Sequence, residues 1–205
     1  MLRHGGARRA KRLRTVVPAL YRYLFPAMWL AWLVYWGMTA RDVKPTVRHE
    51  SARSRLSHIG PLVLAGFLLA VPDVSVPVLR GRIVPWSPWT FAIAAALTAA
   101  GLLFSVWARR YLGRNWSGTV TIKQNHELIT TGPYGIVRHP IYTGLLLGFI
   151  GSAMAIGEWR GVLAIVLAFL SVLFKLRIEE RWMRDQFGDA YRAYCRRVPA
   201  LVPFV

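Results

Sequence analysis

His126-Glu127-Leu128-Ile129-Thr130-Thr131-Gly132-Pro133-Tyr134-Gly135-Ile136-Val137-Arg138-His139-Pro140-Ile141-Tyr142-Thr143-Gly144 is the stretch on which the reading of this chain turns. It is dense in polar, aromatic, Gly and Pro residues, and it runs directly into Pro140–Gly157, which carries no charge. Read as a membrane helix, that uncharged run has polar chemistry gathered at its mouth, an arrangement that costs free energy unless something binds there. The stretch therefore predicts one half of a binding site. Glu179, beyond the next apolar run, predicts the other half.

Working outward, three more stretches lack charge: Tyr23–Ala40, Ile59–Pro72 and Ile83–Ala108. A shorter fifth, Gly161–Phe174, ends at Lys175. A bilayer core takes ~20 apolar residues, with a range of ~17–25. The two shorter runs reach that length only by extending past a charge near the interface, where long basic side chains snorkel. The expectation is an all-α integral membrane protein with about five transmembrane helices. Its 205 residues suit one structural domain. Within it, residues 1–110 would form a basic leader and three spans, and residues 111–205 a C-terminal catalytic region.

The formal charge of +18 raises nucleic acid as a partner, but the 27 Lys and Arg lie almost wholly between the apolar runs. That is the loop pattern of membrane proteins, and anionic headgroups account for it without nucleic acid. With the basic C-terminal tail inside, Arg109–His139 and Arg41–His58 fall on the same, cytosolic side. Five spans then place the leader outside, although Met1–Arg14 holds six basic residues. Either the leader departs from the positive-inside tendency or the first run does not cross fully. The leader also lacks a small-residue cleavage site before its long apolar run, so Tyr23–Ala40 reads as retained rather than as a signal peptide. One cysteine, Cys195, excludes an intramolecular disulfide and multi-thiolate metal sites.

Pro77, Pro85 and Pro88 exclude regular helix throughout Asp73–Pro88. Trp86 and Trp89 there suit an interfacial belt. Glu158-Trp159-Arg160 is short enough only for the turn of a helical hairpin. Past Phe174 the helical pattern continues as a cytosolic amphipathic helix. At 100° per residue, Arg177, Glu180, Arg181 and Arg184 share its polar face, while Lys175, Ile178, Trp182 and Met183 share the other. Glu179 falls on the inward side, where an acid needs a partner, and Lys175 lies one turn before it. Gly188 is expected to end this helix, and the tail from Tyr191 to return along the surface.

His126 and His139 stand 13 residues apart with no further ligand at metal spacing. His139 precedes Pro140, a residue favoured at the first helical position. The helix starting there offers unsatisfied N–H groups to a ligand carboxylate. Tyr134 and Tyr142 supply aromatic faces, which attract sulfonium and other cations. Glu179 suits a ribose hydroxyl pair or an ammonium, although a pair with Lys175 alone would also explain it. No Ser-His-Asp order, P-loop or dinucleotide fingerprint is present.

Gly132-Pro133-Tyr134, Arg138-His139-Pro140-Ile141-Tyr142-Thr143-Gly144, Glu179-Glu180, Phe187-Gly188-Asp189-Ala190-Tyr191 and Val198-Pro199-Ala200-Leu201-Val202-Pro203 together resemble the isoprenylcysteine carboxyl methyltransferases. The wider group includes phospholipid N-methyltransferases. The resemblance covers about Arg109–Val205 and implies S-adenosylmethionine bound at the cytosolic membrane face. It implies cofactor contacts from His126, Glu127, Leu128, Ile129, Tyr134, His139, Pro140, Ile141, Tyr142 and Glu179. On the acceptor side it implies a basic residue four positions before the acid. That position is Lys175 here, with Arg177 and Arg138 as neighbouring cations, and Lys lacks the bidentate fork of Arg.

The acceptor implied is lipid-like or lipidated. A carboxylate acceptor is already ionised at neutral pH and needs no general base. The sequence shows no free base, which favours a carboxylate or thiolate acceptor over a phospholipid amine, with carboxyl O-methylation as the leading reaction. The ending Tyr194-Cys195-Arg196-Arg197-Val198-Pro199 also resembles the much longer sterol reductases, which use NADPH. A non-enzymatic scaffold would leave inward Glu179 and the Tyr cluster without a role.

Overall fold

Apolar runs punctuated by Ser, Pro and Gly become helices whose ends are set by those punctuating residues. The computed structural model describes residues 23–40, 46–71, 74–116, 121–123 and 127–203. The basic leader, part of the first connector and His126 lie outside the described residues. Helix α1 covers residues 23–39. It is followed by β1 (Thr46–His49), α2 (Ala52–Ala70), α3 (Pro88–Leu112), β2 (Thr121–Lys123), α4 (Pro140–Ile156) and α5 (Trp159–Arg197). The architecture is helical, as expected, with one addition. β1 and β2 pair antiparallel as a small ribbon, Arg48 opposite Ile122 and His49 opposite Thr121. Strands of three or four residues are too short to leave a periodic signature in sequence.

The helix ends have local causes. Ser51 caps α2 by accepting the Ser54 amide at 3.2 Å, and Ser87 caps α3 by accepting the Thr90 amide at 2.9 Å. Pro88 and Pro140 open α3 and α4 at the position where a missing N–H is harmless. Gly157, left-handed at φ 66°, closes α4. Among the described residues between Ala70 and Pro88 there is a short 3-10 turn at Pro77–Arg80, and Arg82 makes an isolated antiparallel bridge with Glu158. Trp86 and Trp89 on that side are 43% and 80% exposed.

Among the described residues two helices are long and apolar enough to cross a membrane, one spanning Pro88–Asn115 and the other Trp159–Arg197. Pro140–Ile156 is apolar but shorter. Small residues bring α3 and α4 into backbone contact. A Cβ added at Gly101 would lie 2.7 Å from the Gly148 nitrogen, and one at Gly144 would lie 2.8 Å from the Ser105 nitrogen. Such close approach is how helices associate where no water drives them together. Trp32 and Trp29 on α1 dock onto this pair, their indole N–H groups donating to Ser105 Oγ at 2.7 Å and Ser152 Oγ at 3.0 Å. Gly101→Val is expected to lower stability by about 1–3 kcal/mol through overpacking. Thermal unfolding in detergent checks this, and an unchanged midpoint contradicts the close contact.

Helix α5 bears out one expectation and corrects another. At Gly188 the backbone is non-helical, φ 51° and ψ −121°, so the first helical segment ends there as expected, and a second segment follows it to Arg197. Tyr191 and Tyr194 lie in that second segment and are buried at 2% and 3% exposure, rather than running along a surface. The tail is extended only from Val198, and it folds back onto the start of α4. Arg138 N–H donates to Pro199 O at 2.8 Å and His139 N–H to Ala200 O at 3.0 Å. Thr143 Oγ1 adds a bond to Leu201 O at 2.7 Å. This tail clamp holds the Arg-His-Pro corner against α5.

Candidate active site

The clamped corner and α5 enclose a cavity of about 310 Å³. Its polar wall is assembled from two directions. Pro133 and Tyr134 form a short 3-10 turn ahead of α4, and Tyr194 OH donates to Tyr134 O at 2.6 Å, fixing that turn to α5. Glu127, Leu128, Ile129, Tyr134, His139, Pro140, Ile141, Tyr142, Lys175 and Glu179 all line the cavity. The first intrahelical bond of α4 runs from Thr143 N–H to His139 O. The amides of Ile141 and Tyr142 therefore precede the helical ladder and sit in the cavity wall.

Glu179 is partly exposed to the cavity and held from both sides. Tyr142 OH donates to Glu179 Oε1 at 2.5 Å, His139 Nδ1 lies 3.6 Å from Oε2, and Lys175 Nζ lies 4.0 Å from Oε1. Lys175 also stands 5.4 Å over the Tyr142 ring, and the rings of His139 and Tyr142 stack at 5.7 Å. Burial opposes ionisation of Glu179, but His139, Lys175 and Tyr142 outweigh it and hold the carboxyl below its ordinary pKa. Glu179 lies past the apolar run that ends at Phe174.

Glu180 was missed by the helical wheel, which put it on the outer polar face. It is only 6% exposed. Arg138 donates to Glu180 Oε1 from Nε at 2.9 Å and Nη2 at 2.5 Å. Arg184 donates to its other oxygen at 2.8 Å, and His139 Nε2 approaches at 3.4 Å. Burial would raise the Glu180 pKa, but the hydrogen bonds from His139 and Arg138 bring it down to about 2. For His139 burial favours the neutral ring, yet its hydrogen bonds to Glu179 and Glu180 outweigh this and raise its pKa. His139 thus bridges the two acids.

Two expected acceptor-side cations are placed elsewhere. Arg138 touches the cavity, but its guanidinium is committed to Glu180 and to the tail, donating to Val198 O at 2.5 Å and Cys195 O at 3.3 Å. Arg177 is exposed and does not line the cavity, because it shares the outer face of α5. Lys175 alone of the three presents its ammonium beside Glu179.

The remaining wall comes from residues without a sequence signal. Trp32 and Trp36 on α1, His58, Ile59 and Leu62 on α2, and Trp116 and Asn115 after α3 all line the cavity. Trp116 packs under the Arg109 guanidinium, 4.3 Å from its ring centroid. Asn115 Oδ1 is buried with no hydrogen-bond partner among the described residues. Among the described residues no His, Cys, Asp and Glu group has metal-site geometry.

Residues 89–190 match the family model described as phospholipid methyltransferase. The chain is similar to a protein-S-isoprenylcysteine O-methyltransferase of Schizosaccharomyces pombe, 36% identical over 97 residues, covering 45% of this chain and 41% of the relative. It is similar to protein-S-isoprenylcysteine O-methyltransferase B of Arabidopsis thaliana, 34% identical over 96 residues, covering 45% and 49%. Methanethiol S-methyltransferase 2 of Bradyrhizobium diazoefficiens is 44% identical over 71 residues, covering 34% and 26%. The match spans less than half the length of each of these relatives. The family-model match, residues 89–190, includes the Arg-His-Pro corner and the two acids. Over residues 89–190 the chain is thus similar to the phospholipid methyltransferase family, and it shares that likeness with isoprenylcysteine O-methyltransferases.

Proposed function

We propose that this protein is a multi-pass membrane methyltransferase that uses S-adenosylmethionine and acts on an amphipathic, lipid-like acceptor at the cytosolic face. The observation that carries this reading is Glu179, a carboxylate fixed by Tyr142 in the wall of the cavity beside His139. S-adenosylmethionine presents an ammonium, a carboxylate, a sulfonium, a ribose diol and an adenine. The residues present fit those groups. Glu179 suits the diol or the ammonium, the Ile141 and Tyr142 amides suit the carboxylate, and the Tyr134 and Tyr142 faces suit the sulfonium. His126 belongs to the same proposed contact set.

When bound, this cofactor supplies an electrophilic methyl group. The chain's own contribution is positional. Tyr142 and His139 keep Glu179 ionised and aimed, the tail clamp holds the corner, and the aromatic walls exclude water. Lys175, adjacent to Glu179, is placed to orient an anionic or polar acceptor head.

Membrane embedding is supported by the outward apolar faces. Leu30, Leu33 and Val34 on α1, Val63 and Phe67 on α2, Leu103 on α3, and Val166 and Leu170 on α5 are all more than 45% exposed. Apolar surface on that scale belongs against lipid or a partner. Five spans, α1 to α5, are the topology proposed. Carboxyl O-methylation of an isoprenylcysteine-like acceptor is the finer reading, in line with the relatives named for that reaction. The relative named for methanethiol keeps a thiol acceptor in view.

The test is incubation of the purified protein with methyl-labelled S-adenosylmethionine and a membrane lipid extract. A labelled product in the lipid phase is expected, and NADPH-dependent reduction without methyl transfer contradicts the reading. Lys175→Ala is expected to reduce turnover at least tenfold while cofactor affinity stays within a fewfold. Normal turnover in that variant removes Lys175 from the acceptor role.

A further inference from the structure

Resting on the methyltransferase reading, we infer that His58, oriented by Glu50, is the proton acceptor for an acceptor whose reacting atom carries a proton, a thiol or an amine. Both residues come from the N-terminal half, outside the segment that matches the family model. His58 is 2% exposed and Glu50 6% exposed. The His58 Nε2 hydrogen faces the Glu50 carboxylate at 3.1 Å from each oxygen. Ser54 Oγ donates to Glu50 Oε2 at 2.9 Å, which fixes the carboxylate. His58 lines the cavity, and its Nδ1 has no hydrogen-bond partner among the described residues, nor is it among their sealed-off unpaired atoms. A carboxylate on one ring nitrogen and open space at the other is the arrangement that fixes an imidazole tautomer and leaves a base.

The placement along α5 agrees. Ser171 Oγ donates to the His58 carbonyl, tying α2 to α5 at that level. Ser171, Lys175 and Glu179 follow one another at four-residue steps, and all three line the cavity. At 1.5 Å per residue, His58 therefore sits about 12 Å along the helix from Glu179, with Lys175 between them. With the cofactor's polar groups at Glu179, the His58 end of the cavity belongs to the acceptor.

In the step, the acceptor S–H or N–H bond breaks and its proton passes to His58 Nδ1. The electron pair of that heteroatom forms the new bond to the methyl carbon. The sulfonium S–CH3 bond breaks and its pair stays on sulfur, leaving a neutral thioether. His58 returns the proton to water after product release. A carboxylate acceptor has no proton to lose and makes no use of this base. The absence of a base in the sequence, which favoured a carboxylate or thiolate over an amine, does not survive the fold.

The test uses the full chain in detergent with three acceptors of equal chain length: dodecanethiol, dodecylamine and dodecanoate. S-adenosylhomocysteine binding reports the cofactor site independently, and its absence in the unaltered protein would overturn the methyltransferase reading itself. With that binding present, methyl transfer to the thiol or the amine is expected. His58→Gln is expected to lower that transfer at least 100-fold, with S-adenosylhomocysteine affinity within threefold. Glu50→Gln, which retains the shape of the pair, is expected to lower it about tenfold. Transfer to dodecanoate should fall at least ten times less than transfer to the thiol or amine in both variants. Without turnover, the His58 ring resonance in labelled protein should shift on addition of dodecanethiol. Equal losses across all three acceptors, transfer to dodecanoate alone, or an unmoved His58 resonance overturns the assignment.

Discussion

Glu180→Ala is expected to destabilise the fold by about 3 kcal/mol or more, because it strands two groups at once. Arg138 and His139 both converge on this carboxylate, and the side chains of Arg138, His139 and Glu180 are 11%, 9% and 8% exposed. Removing one partner of a buried ion pair costs about 3–5 kcal/mol, since the remaining charge keeps its desolvation penalty without its counter-charge. The loss reaches further than the pair. Arg138 also holds the tail carbonyls of Cys195 and Val198, so its release loosens the clamp over the cavity. A lowered unfolding midpoint and easier proteolysis after Val198 are the measurements. Glu180→Gln, which keeps the shape and one acceptor oxygen, should lose less.

The same junction sets a pH dependence. Glu180 is held at about 2 against an ordinary 4.5. A carboxyl with a depressed folded pKa adds stability that is complete above the unfolded value and is lost as pH falls through the folded one. The Glu180 contribution is therefore complete above about 4.5 and fades from there toward 2. Titrating unfolding midpoints of the unaltered protein and Glu180→Gln across this window should show the two curves converging at the acid end.

The second large effect concerns affinity. Glu179→Ala is expected to weaken S-adenosylhomocysteine binding by ten- to a hundredfold. Hydrogen bonds to a charged group contribute about 1.5–3 kcal/mol, and 1.4 kcal/mol is about tenfold in binding. Glu179 accepts from Tyr142, while its neighbours Lys175 and His139 keep other contacts, so its removal should cost less stability than that of Glu180. Two adjacent acids thus separate: the first governs affinity, the second stability. Comparable losses of both kinds in both variants would contradict that division.

The sequence made this half of the site legible because its signals are local. Pro140 opens α4 and leaves two amides unsatisfied; the 100° periodicity of α5 turns Glu179 inward; and the four-residue step places Lys175 beside it. Glu180 was illegible for the opposite reason. A helical wheel describes one helix against water, and the face carrying Glu180 is covered by residues far away in sequence, Arg138 and the tail at Val198. The helix end at Gly188 was legible, because glycine readily takes the positive φ found there; the second helical segment beyond it was not, since burial of Tyr191 and Tyr194 holds it.

The N-terminal contribution to the cavity left no signal at all. Trp32, Trp36, His58 and Ile59 read as ordinary members of apolar runs or connectors. Only the packing of α1 and α2 against α3, α4 and α5 places them in the wall. A boundary near residue 110 separates sequence with motifs from sequence without them, yet residues from both sides line one cavity.

The central claim is that this cavity is a cofactor site closed by Glu179 and the Arg-His-Pro corner. Calorimetric titration of S-adenosylhomocysteine into the detergent-purified full chain tests it most directly. Saturable one-site binding is expected, weakened at least tenfold in Glu179→Ala, with no heat from NADPH. Binding of NADPH in its place, or identical S-adenosylhomocysteine affinity in the unaltered protein and in Glu179→Ala, would contradict the claim.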